Sequence, residues 1–125
     1  MANFIADSVL DDLSSISGAT VSVSICHTTQ PTTTFGDIAT YECGTKDSIT
    51  AGTIGNAASG TGREVVIPAI TDGSVSDTQT AAYWVVHNNT NAIYASGDLT
   101  GGGQAVTSGN TFTLDAISIT IRDAT

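Results

Sequence analysis

The sequence predicts a mainly β protein: a single-domain β-sandwich or small barrel with an N-terminal amphipathic helix. Three observations lead there. Ser and Thr make up roughly a quarter of the 125 residues while charged residues make up 12%, and Thr suits a pleated surface because its branched Cβ packs well there. Apolar residues alternate with polar ones in several short runs, most strictly from Ile117 to Ile121. Turn-forming clusters separate these runs at roughly 8–12-residue intervals, the spacing of sandwiches and barrels.

Taken in order, residues 3–17 read as the one substantial helix. Asn3 is a suitable N-cap and Gly18 a suitable residue beyond the C-cap. Ile5, Val9, Leu10, Leu13 and Ile16 form an apolar stripe, with Asp7, Asp11, Ser14 and Ser15 opposite. This divides the chain into an N-terminal arm and helix, 1–18, and a β domain, 19–125. The arm looks separable, so its removal is expected to leave a folded β domain.

Val21, Val23 and Ile25 alternate with Ser22, Ser24 and Cys26, giving a strand that ends near His27. Residues 28–34, with Pro31, read as a loop. Phe35, Ile38 and Tyr41 share a face of a short helix, and Gly44 closes that segment. Residues 45–62 are rich in Gly, Ala and Thr, which suggests a strand near 48–53 and then a long loop. Arg63 to Ile70 is a strand that Pro68 restricts to an edge or an end, because Pro has no N–H for a ladder. Thr71-Asp-Gly-Ser74 reads as a turn, its Asp-Gly pair suiting a tight hairpin. The last third runs strand, turn, strand, turn, strand: Thr80–His87, Asn88–Asn91, Ala92–Leu99, a break at Gly101-Gly102-Gly103, and Phe112–Arg122. Six or seven strands result.

Charge narrows function. The net charge is −9 and the cations are Lys46, Arg63 and Arg122. Nucleic-acid binding needs clustered cations to neutralise phosphates, so it is not expected. Anionic membranes are disfavoured on the same ground, and no stretch approaches the length of a membrane span. Met1-Ala-Asn-Phe-Ile-Ala6 lacks a basic n-region and Asp7 interrupts the apolar run, so no signal peptide is read and synthesis in a cytoplasm is expected. Cys26 and Cys43 are then expected to be free, small, buried thiols.

Motifs that carry chemistry are weak. Cys26 and His27 are adjacent on a strand and point to opposite faces, so they do not converge as a nucleophile pair. The two Cys and two His lack the close ligand pairs of zinc modules. No Ser lies in a Gly-x-Ser-x-Gly elbow. Gly60-Thr-Gly62 precedes a strand, so it is no phosphate cradle. Asp72, Ser74, Ser76 and Asp77 lack the ligand series and terminal Glu of a calcium loop. Trp84 is expected in the core, with Tyr83 on the other face. No catalytic, cofactor or metal site is expected.

Several stretches are similar to small virion proteins of tailed bacteriophages: Met1-Ala-Asn-Phe-Ile-Ala-Asp-Ser-Val-Leu-Asp-Asp12, Gly62 to Val75, Thr80 to Trp84, and Gln104 to Ala116. The stretches are spread along the chain from residue 1 to residue 116. It implies a non-enzymatic virion component, most like a capsid decoration (cement) protein. A decoration protein adds contact area between capsomers through many modest interfaces on a fixed lattice. Its partner would be the major capsid protein or another virion protein, and a homo-oligomer is expected. Contacts are expected at Asn3, Phe4, Asp7, Asp11 and Leu13. The alternative is a neck, tail or fibre component, acting as an adaptor or as a carbohydrate-binding β module through Tyr83, Trp84, Tyr94 and the Asn88–Asn91 turn.

Overall fold

The computed structural model describes residues 4–5, 16–56, 63–90, 92–99 and 103–121. The strands are β1 (Phe4–Ile5), β2 (Thr20–Cys26), β3 (Glu42–Thr50), β4 (Gly55–Asn56), β5 (Arg63–Ile67), β6 (Ile70–Val75), β7 (Gln79–Ala81), β8 (Tyr83–His87), β9 (Ile93–Asp98), β10 (Gln104–Val106), β11 (Thr111–Leu114) and β12 (Ile117–Ile121). Among the described residues one short helix, α1 (Gly36–Tyr41), precedes β3. The main sheet has the order β1-β9-β8-β2-β3-β6-β11, six strands with the two-residue β1 added at one edge. Its pairings are all antiparallel. The order does not close on itself, so the sheet is open and no closed barrel forms. Smaller sheets, β12-β5-β4 and β10-β7, complete the set.

Two long bent ribbons organise these strands. β5 and β6 run against β11 and β12 in one register: Ile67 faces Ile117, and beyond the break Ile70 faces Leu114. Both chains bend at the same level, one at Pro68-Ala69 and the other at Asp115-Ala116. Pro68 therefore sits where β5 ends, as its missing N–H requires. In the second ribbon β7 and β8 run against β10 and β9. Tyr83 faces Asp98 while Ala81 faces Gln104, so two residues on one chain span six on the other.

The main core draws Val21, Val23 and Ile25 from β2, Val65 and Ile67 from β5, and Ile117 and Ile119 from β12. The small sheet thus shares one apolar layer with the main sheet. A second cluster joins Cys26, Ile38, Val85 and Ile93, flanked by Phe35, Tyr41 and Tyr83. It lies on the other face of β2, under α1. β2 is consequently buried on both faces from Val21 to Cys26, although its alternation alone reads as one buried face.

Several expectations are corrected. The N-terminal amphipathic helix is not supported: Phe4 and Ile5 are extended and pair with Ser96 and Ala95 on β9. An aromatic and a β-branched residue suit that pairing, and β9 supplies the ladder groups that a lone helix would have to find within itself. The rest of the expected helix up to Ser15 lies outside the described residues. Ile16, Ser17 and Gly18 form a turn, and Ile16 is fully buried in the main core. The arm is thus joined to the β domain at both ends.

Gly44 does not close a segment, and Asp72-Gly73 is no turn; both glycines are mid-strand. Each accommodates Phe112. A Cβ at Gly73 would overlap the Phe112 ring, and one at Gly44 would lie 2.9 Å from the Ser74 carbonyl oxygen and 3.1 Å from the ring. These glycines make room for an aromatic side chain; neither has a positive φ. The strand expected near 48–53 instead runs from Glu42 to Thr50. The helix at Gly36–Tyr41, the strand ending at Cys26 and the turn after His87 lie where the sequence places them. Asn88 caps that turn, its Oδ1 accepting the N–H groups of Thr90 and Ala92 at 2.9 and 3.0 Å.

Candidate functional site

Among the described residues, three chemistry-bearing groups converge on the second face of β2. Ser24 from β2, His87 from β8 and Glu42 from β3 converge because β2 pairs with both β8 and β3. Ser24 Oγ lies 2.8 Å from His87 Nε2 and 2.5 Å from Glu42 Oε2. Beside them Ser22 donates to Asp47 Oδ1 at 2.9 Å. A segment from His27 to Phe35 covers the group: Gln30 donates to Ser96 Oγ at 2.8 Å, and Phe35 meets the His87 ring edge-on at 5.7 Å.

The arrangement looks like a Ser–His–acid triad, but its hydrogen bonds run the wrong way. The Asn89 backbone N–H donates to His87 Nδ1 at 3.0 Å. Neutral His87 must then carry its proton on Nε2 and donate it to Ser24 Oγ. Ser24 in turn donates its own O–H hydrogen bond to Glu42 Oε2. A triad needs the reverse: an imidazole nitrogen accepting from the Ser and the other nitrogen donating to the acid. Ser24 is also fully buried and His87 is 2% exposed, so a substrate cannot reach them.

Electrostatics fit this scaffold role. Burial lowers the His87 pKa to about 4, with the Asp47 charge pulling it back upward. Burial raises the Glu42 pKa; the Ser24 hydrogen bond opposes that shift and the Asp47 charge adds to it. Both thiols are free and buried. Burial, then the neighbouring Cys43 and Glu42, pushes Cys26 far above the ordinary thiol range. Cys43 is pushed up to about 11, chiefly by burial and next by the Asp77 charge. Thiols held protonated this way are poor nucleophiles.

The open site is elsewhere. A cleft of about 490 Å³ lies where the two ribbons bend, and Trp84, Asp98, Gln104, Thr113, Asp115 and Ser118 are among the residues lining it. Trp84 reaches it from β8, opposite Gly97 on β9. Its indole is half-buried and packs against the main core. Asp115 sits in the break between β11 and β12, and Gln104 begins β10. Ser118 Oγ donates to Glu64 on the neighbouring β5.

The residues singled out from the sequence are dispersed. Phe4 is in β1; Asn3, Asp7, Asp11 and Leu13 lie outside the described residues. Tyr83 packs in the second cluster and Tyr94 against the main core, so neither joins Trp84 in the cleft. His27 stands at the end of β2, edge-on to Tyr41 at 5.9 Å. Asp72 is a strand residue paired with Lys46 at 3.0 Å. Among the described residues, no three His, Cys, Asp or Glu side chains group as metal ligands, and no helix is long and apolar enough to cross a membrane. The association of Ser24, His87 and Glu42 has no sequence motif; its one local sign is that a His and a Glu border apolar runs. Comparison with protein-family models, with curated proteins and with solved structures finds no match for this chain.

Proposed function

We propose that this chain is a non-enzymatic structural protein of a bacteriophage virion that binds and stabilises the capsid surface as a decoration protein. The virion assignment rests on the resemblance of the stretches at 1–12, 62–75, 80–84 and 104–116 to phage virion proteins. The observation that carries the non-catalytic half is the proton direction in the Ser24–His87–Glu42 network. The groups most suited to acyl-transfer chemistry are buried and hold strands together. The protein then acts through its surface.

A β-sandwich scaffold suits this role, since its rigid layers present wide contact faces. On this reading the partner is the major capsid protein or another virion protein, and the chain assembles as a homo-oligomer after synthesis in the host cytoplasm. Contacts run along Asn3, Phe4, Asp7, Asp11 and Leu13, with the pairing of Phe4 on β9 anchoring the arm. Antibody-labelled electron microscopy of purified virions tests it. Label distributed over the head supports a decoration protein. Label confined to the neck or tail replaces that reading with an adaptor, and no label on any particle overturns the virion assignment.

A further inference from the structure

We propose that the cleft at the bend of the ribbons binds a neutral saccharide. This goes beyond the virion reading and does not depend on it. The first argument is the platform. Trp84 is half-buried and backed by the main core, so its indole is held in place before any ligand arrives. A fixed aromatic face suits the C–H face of a sugar ring, which needs a flat apolar surface on one side.

The second argument is the polar lining. Asp98 and Asp115 bring carboxylates, Gln104 an amide, and Thr113 and Ser118 hydroxyls. Carboxylates accept only, whereas amides and hydroxyls both donate and accept. Sugar hydroxyls also do both, so the set matches a polyhydroxylated ligand better than a purely apolar one. A cleft of about 490 Å³ falls within the usual range of small-ligand sites, roughly 300–1,000 Å³.

The third argument is charge. Among the described residues lining the cleft none is Lys or Arg, while two are Asp, and Glu64 is tied to Ser118 beside them. The chain as a whole carries −9. A phosphate or an acidic sugar would meet repulsion from these carboxylates. Recognition is by binding alone; no bond in the ligand is broken.

The chain contains one tryptophan, so intrinsic fluorescence reports on this cleft without labelling. The full chain is titrated with maltotriose, mannotriose, cellotriose and triacetylchitotriose to millimolar concentrations. Sialyllactose, inorganic phosphate and a tri-lysine peptide serve as charged probes. A saturable change in Trp84 emission with at least one neutral trisaccharide is expected, without response to sialyllactose or phosphate. Gln104→Ala and Asp115→Asn alter exposed side chains, so both variants should fold; each is expected to weaken binding about tenfold, the loss of one hydrogen-bonding partner. No saturable change with any neutral sugar overturns the proposal. So does unchanged sugar affinity in both variants, or a stronger response to phosphate or to the tri-lysine peptide.

Discussion

His87 illustrates how a residue suited to catalysis becomes a structural tie. Its Nδ1 accepts the Asn89 N–H and its Nε2–H donates to Ser24, so the neutral ring satisfies both nitrogens without a counter-ion. Protonation would put an N–H against the Asn89 N–H and bury a charge. Burial accordingly lowers its pKa to about 4 from the ordinary 6.5. The unfolded chain takes up this proton near 6.5 and the folded chain does not, so the unfolded state binds more protons between those limits. Stability from this residue is complete above pH 6.5 and lost as pH falls toward 4, by up to about 3 kcal/mol. Glu42 works in the opposite sense. Burial raises its pKa, so the folded state binds its proton more readily and the carboxylate costs stability as pH rises. Glu42→Gln keeps an acceptor for Ser24 and removes that opposing contribution. Urea unfolding from pH 4 to 7 should find the variant at least as stable as wild type at pH 7 and with a steeper acid loss. An unchanged slope would mean that Glu42 titrates alike in both states.

At the scale of elements, β3 shows what a strand does when its sequence is not regular. Val21 faces Ile49 and Val23 faces Lys46, so Ser22 stands opposite two residues, Asp47 and Ser48. Ser48 is the bulged residue, with φ 60; the bulge brings Asp47 to the Ser22 hydroxyl at 2.9 Å. A side chain in the left-handed region is strained, and Ser48 is exposed. Ser48→Gly should therefore stabilise the fold by about 0.5–1 kcal/mol, read as a higher urea midpoint at constant slope; a lower midpoint would show that the hydroxyl holds the bulge. Such features mark the limit of legibility. Alternation revealed β2 and β12, and Asn88-Asn89 revealed a turn, because the cause lies within a few residues. Gly44 and Gly73 read as breakers because Phe112, which they accommodate, is distant in sequence. Phe4 and Ile5 read as helix because the ladder they join belongs to β9. The Ser24–His87–Glu42 network depends on three strands meeting, and the Trp84 cleft on residues of both ribbons coming together beside their breaks.

At the scale of the whole molecule, the acidic balance acts on the fold as well as on partners. Twelve carboxylate residues face three cations, and the pairing of Lys46 with Asp72 is exposed enough to contribute little. The bent ribbons gather the sheets around one main core, so folding draws these charges together from a more expanded chain. Like charges then repel more in the folded state than in the unfolded one. Salt screens that repulsion over a Debye length of about 30 Å at 0.01 M and about 8 Å at 0.15 M. Melting followed by circular dichroism at pH 7 should rise by about 2–5 °C between those concentrations of sodium chloride. Replacing chloride with an equal concentration of another weakly binding anion should give the same rise, since the protein's own anions recruit sodium. A melting temperature that falls with salt would show instead that attractive pairs outweigh repulsion. On the decoration reading proposed above, the same repulsion would act between copies held side by side, so the salt that stabilises the fold should also favour dense occupancy.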